Sequence, residues 1–215
     1  MPLHLAGDLF SILCALIGVG CAALLWKVTR PERDPQRICE YLRQELHNSP
    51  GDAQKRFEYA KALYGQGYMT AASHELRQSL EIDHQNPEAH YLLGNILLLT
   101  GNVHAAGAHF EKATQLSPAF AEAHHSWGTV HELSGDLPAA EDAFLRSIAI
   151  DPKYGIAYFN LARLYAATNQ TAKSREKLNQ AIKLDPMFHE EALCCSDFDN
   201  MLSDKNMRQL LYRSA

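Results

Sequence analysis

Eleven histidines and five cysteines are the side chains in this 215-residue sequence best suited to hold a metal or carry a proton. His124, His125 and His131 lie within a few helical turns of one another, as do His104 and His109. The paired Cys-x-x-Cys and His spacings of zinc sites do not occur, however. Cys194 and Cys195 are adjacent, which places them poorly for an ordinary bridge. His90 and His124 stand at equivalent points of two similar stretches, as packing positions do. No phosphate-binding loop, nucleophile elbow or metalloprotease helix is present. The expectation is therefore a chain that is not an enzyme and carries neither metal nor cofactor. A net charge of -5 without a basic run excludes nucleic acid as the natural partner.

The histidine equivalence points to the elements that position everything else. A shift of 34 residues superposes Ala60, Gly94, Gly128 and Ala162. It also superposes Gly67, Gly101 and Gly135, then Ala72, Ala106 and Ala140, then Leu76, Phe110, Phe144 and Leu178. Pro118, Pro152 and Pro186 close three of the units. A fixed period of this length marks a repeat architecture. Within each unit, apolar residues recur at steps of three and four on both sides of a central glycine, the pattern of two amphipathic helices. The glycine at 67, 101 and 135 suits the left-handed residue after the first helix. The small residue at 60, 94, 128 or 162 faces Ala72, Ala106, Ala140 or Ser174, so the two helices approach closely and Phe110 and Phe144 fill the space beside them. A large residue at Gly94 or Gly128 is expected to force the pair apart.

With that order of small, aromatic and proline residues, the sequence from 53 to 186 resembles the tetratricopeptide repeat (TPR) family. The resemblance implies an all-α fold, a solenoid of helical hairpins wound as a right-handed superhelix with a concave surface. The units run 53–86, 87–120, 121–154 and 155–188. The family's first aromatic is replaced by Arg56, His90 and His124 and kept at Tyr158, and His84 stands where the first unit would end in proline. Carried over position by position, the family's groove-facing residues give Phe57, Tyr91, His125 and Phe159 as one rung. Lys61, Asn95, Thr129 and Arg163 form the next, with Tyr64, Leu98 and Glu132 beside them. An aromatic column next to a polar one suits an extended or helical peptide. The lysine and asparagine set with which some family members clamp a carboxylate tail is present only as scattered residues, so that ligand is not expected.

The flanks read differently. Residues 36–52 hold a lone helix of a degenerate repeat, and 189–215 a partial repeat with a capping helix. In residues 1–28, Leu9 to Trp26 form an uncharged stretch of eighteen residues, long enough to cross a bilayer as one transmembrane helix. Residues 29–35 are a short proline-containing linker. Lys27, Arg30, Arg33 and Arg37 follow the stretch while no basic side chain precedes it, which predicts the N-terminus outside and the repeats in the cytoplasm. Cys14, Gly18 and Ala22 form a small-residue stripe through which two spans could pair. The function implied is a membrane-anchored scaffold that recruits or assembles partner proteins. The opposite topology would make it an extracytoplasmic assembly factor.

Overall fold

The computed structural model describes residues 35–201 and 204–212. Among them are eleven α-helices and one short 3-10 segment. The helices are α1 Pro35–Asn48, α2 Ala53–Gly65, α3 Met69–Ile82, α4 Pro87–Leu99, α5 Val103–Leu116, α6 Ala121–Leu133, α7 Leu137–Ile150, α8 Gly155–Ala167, α9 Thr171–Leu184, α10 Met187–Cys194 and α11 Lys205–Tyr212, with the 3-10 segment at Ser196–Met201. The apolar stretch 9–26 and the stripe at Cys14, Gly18 and Ala22 lie outside the described residues. Among the described residues no helix is long and apolar enough to cross a membrane.

The helix ends follow from local chemistry. Asp52, Asn86, Asn102 and Asp136 each accept, through a side-chain oxygen, the N–H three residues on, which satisfies one of the donors a helix start leaves open. Gly67, Gly101 and Gly135 all have φ of +81°, and Asn169 takes the same role in the fourth unit at +58°. Glycine and asparagine are the residues that accept this conformation at least cost.

The chain divides into two compact units, one ending at Ala72 and one beginning at Ser73, so the boundary falls inside α3. In the first, α1 packs on α2, Leu46 is buried, and Lys55 pairs with Glu45 at 2.9 Å. In the second, consecutive helices from α4 to α9 pack pairwise. Here the small residues do what their spacing implies. A Cβ built on Gly94 would lie 2.7 Å from the Phe110 ring, and one on Gly128 2.7 Å from the Phe144 ring. Both rings are fully buried. In the α8–α9 pair the ring is replaced by Leu178 and the glycine by Ala162, both in one apolar cluster.

The replaced family aromatics have a shared explanation. Arg56 donates to the carbonyl of Pro50 at 2.9 Å, His90 to that of His84 at 3.2 Å and His124 to that of Pro118 at 3.1 Å. Each reaches back six residues to tie the start of a first helix to the loop before it. His90 has a second bond: its Nδ1 accepts from His109 Nδ1 at 2.9 Å. Burial lowers the His90 pKa, and lowers that of His109 to about 4, so the pair is neutral at pH 7.

Among the described residues, two buried polar atoms in the α6–α7 pair have no partner: His124 Nδ1 and Ser147 Oγ. Ala113 and Ala181 occupy the equivalents of Ser147 and are fully buried. Ser147→Ala removes an unsatisfied hydroxyl without opening a cavity. It is expected to stabilise the fold by about 1 kcal/mol, read as a rise of roughly 2–4 °C in Tm.

The carboxy end closes the second unit. Phe188, Phe198, Met201, Met207 and Leu211 join Phe159, Ala162 and Leu178 in a single cluster. His189 donates to the carbonyl of Leu211 at 2.8 Å and Arg175 bonds Asp204 at 3.2 Å, which fixes α11.

Candidate peptide-binding face

The eleven residues expected to face a groove divide between the two units. Phe57, Lys61 and Tyr64 lie on α2 in the first. Phe57 is buried, Tyr64 is half-buried, and Lys61 is exposed with Nζ 5.9 Å from the Phe57 ring centroid. The other eight lie on the first helices α4, α6 and α8 of the second unit.

There the fifth-position rung is tied to its neighbours. Tyr91 packs on Phe120 with ring centroids 4.9 Å apart, His125 on Tyr154 at 5.4 Å and Phe159 on Phe188 at 5.3 Å. Phe120, Tyr154 and Phe188 are themselves spaced by 34, each in the loop before the next first helix or at its start. Tyr91 and His125 also touch Phe110 and Phe144. The rung is thus first a contact between successive repeats. Tyr91 and His125 remain half-buried, whereas Phe159 is 2% exposed. The partner residues at 120, 154 and 188 were not singled out from the sequence, although their aromatic 34-residue spacing was there to be read.

The polar row is joined into a network at its α8 end. Arg163 donates to Asp197 at 2.7 Å through Nε and lies 3.9 Å from Glu132. Its Nη1 also reaches Asn160 Oδ1 at 3.4 Å. With that oxygen engaged, Asn160 Nδ2 donates to His125 Nε2 at 2.8 Å, which leaves the His125 proton on Nδ1. Burial lowers the His125 pKa to about 4, so the ring is neutral and Nε2 accepts from Asn160. Burial raises the Glu132 carboxyl against the pull of Arg163. Thr129 donates to the His125 carbonyl at 3.3 Å. Asp197, in the 3-10 segment that packs on α8, supplies the carboxylate that a ligand would otherwise offer Arg163.

At the α4 end the face is open. Asn95 and Leu98 are half-buried beside Tyr91, and among the described residues neither the Asn95 amide nor the Tyr91 hydroxyl makes a hydrogen bond. Aromatic area next to an uncommitted amide has the chemistry to hold a peptide backbone.

A TPR repeat model matches residues 60–101, and tetratricopeptide repeat models match 87–120 and 143–176. No curated protein matches the chain. Among solved structures, the chain is similar to MamA at TM-score 0.66 and 20% identity, covering 73% of this chain and 91% of that one. It is similar to YrrB, described as a TPR protein with an unusual peptide-binding site, at 0.64 and 19%, covering 86% and 98%. Pseudomonas aeruginosa PilF matches at 0.61 and 18%, covering 81% and 82%.

Proposed function

Because the chain is a tetratricopeptide-repeat protein, we propose that it is a scaffold that binds a peptide segment of a partner protein on the face of α4 and α6, and that residues 9–26 hold it at a membrane with the repeats in the cytoplasm. The observation that carries the binding reading is the open Tyr91–Asn95 surface, set against an Arg163 already engaged by Asp197. The peptide-binding site in the description of YrrB supports this class of ligand. The uncharged stretch and the basic residues after it support the anchor and its orientation.

Capture of partners from detergent-solubilised membranes tests the reading. Asn95→Ala alone and with Tyr91→Ala is expected to lower recovery of the main partner at least fivefold while α-helical content is kept. Undiminished recovery by the double variant would sink the groove reading. Arg163 is left untouched, since removing it would strand Asp197. Cys194 is exposed, whereas Cys39 bonds Gln66 and burial raises its thiol pKa. With Cys194 as the sole cysteine, an impermeant maleimide is expected to label only permeabilised cells. Labelling of intact cells overturns the cytoplasmic placement.

A further inference from the structure

The face of α4 and α6 carries charge of one sign. The two helices pack against each other, and between them they hold Glu88, Glu122 and Glu132 and no lysine or arginine. Glu88 and Glu122 are exposed in the two first turns, one repeat apart. Burial raises the Tyr154 pKa, with Tyr91 and Glu122 adding to the shift. That places Glu122 at the rung where Tyr154 packs on His125. Glu132 closes the other end of α6. Its side chain is 23% exposed, and among the described residues its carboxylate accepts no hydrogen bond. Arg163 stands 3.9 Å away, with its Nε committed to Asp197. Burial raises the Glu132 carboxyl; Arg163 offsets part of this and Asp197 adds to it. An outside cation therefore meets an under-partnered acid. The next residue, Leu133, and its equivalent Leu99 are 62% and 67% exposed, apolar surface of the kind along which the stem of a lysine lies.

We infer that the α4–α6 face selects a basic segment of its partner protein, with two lysine or arginine side chains four or five residues apart that reach Glu122 and Glu132. This rests on the peptide-binding reading of the same face and adds the sign of the ligand and its spacing. Glu122 and Glu132 are ten residues apart on one helix, about 15 Å, which an extended chain covers in four to five residues. The same separation is too long for one metal ion or one ammonium group to bridge. Acidic and phosphorylated segments are rejected, because the one lysine or arginine on α4, α6 and α8 is Arg163, already taken by Asp197. The Tyr91 ring and the Asn95 amide hold the uncharged residues between the two cations.

The test titrates the full chain in detergent against fluorescein-labelled Lys-Ala-Leu-Ala-Lys, which puts both lysines and the leucine on one side of an extended chain. The same peptide with glutamine or glutamate in place of lysine is read beside it by anisotropy. Saturable binding of the lysine peptide with a midpoint on the order of 100 µM is expected, weakening as salt is raised. The glutamine peptide is expected to bind about fivefold more weakly and the glutamate peptide not at all. Glu122→Gln and Glu132→Gln are each expected to weaken the lysine peptide about two- to fivefold. Glu191→Gln removes the same charge from an exposed site on α10 and is expected to leave binding unchanged. Equal binding of the three peptides, lost for each in the Tyr91→Ala protein, overturns the basic ligand and keeps the peptide-binding face. An equal effect of Glu191→Gln reduces the binding to net charge and overturns the proposal. So does an absence of saturation by the lysine peptide, while capture with Asn95→Ala and Tyr91→Ala judges the face separately.

Discussion

Gly128→Ala lowers the stability of the second unit by about 2 kcal/mol, and adding Phe144→Leu recovers most of the loss. The sign is informative, because helix propensity alone gives alanine an advantage of about 1 kcal/mol over glycine. Against that stands a Cβ placed 2.7 Å from two atoms of the Phe144 ring, in a fully buried position where overpacking costs about 1–3 kcal/mol or more. The ring also packs on His125, with centroids 5.6 Å apart, so it cannot swing away freely. Phe144→Leu alone leaves a gap and costs roughly 1–2 kcal/mol. The two changes together reproduce the combination that Ala162 and Leu178 already form in the last repeat. Urea unfolding of the two single variants and the double variant measures the coupling. Additive losses would show that the glycine is there for another reason.

Phe198→Ala has the larger effect, about 3–5 kcal/mol. Its side chain is 1% exposed and meets Phe159 edge-on with centroids 5.9 Å apart. Removing it empties the cluster that α8, α9, α10 and α11 share. Hydrogen exchange is expected to show amides of α10 and α11 losing protection before those of α6, with a lowered Tm. Asp197→Asn, one residue away, is expected to cost under about 1 kcal/mol, because the Arg163 pair is one-third exposed on both sides and solvent screens it. If the asparagine variant were the more damaging of the two, the ion pair rather than the aromatic contact would hold the carboxy end.

The repeats were legible because each physical requirement recurs at a fixed spacing: a left-handed residue at 67, 101 and 135, a close approach at 94 and 128, a ring at 110 and 144. The helix of residues 36–48 was visible for a similar reason, since its apolar residues fall on one face. The candidate face was legible only as positions. Which rings remain available depends on what sits against them, and those contacts join residues 29 apart in sequence, such as Tyr91 to Phe120 and Phe159 to Phe188. Periodicity within one unit does not reveal them. Likewise Arg163 reads as a free cation until the 3-10 segment brings Asp197 to it. The replaced aromatics left local packing open on sequence grounds. The backward bonds of Arg56, His90 and His124 close that question, because each substitute contributes a donor where the family has ring area.

Those backward bonds also give the array a polarity. Each donor sits in a later helix and each acceptor in the loop that precedes it, so the first three hairpins each seal the loop before them. A chain emerging from the ribosome presents the acceptor first and the donor six residues afterwards, and each corner closes as soon as the next helix begins. Shortening from the carboxy end leaves every remaining corner intact. Shortening from the amino end exposes a donor whose carbonyl has gone.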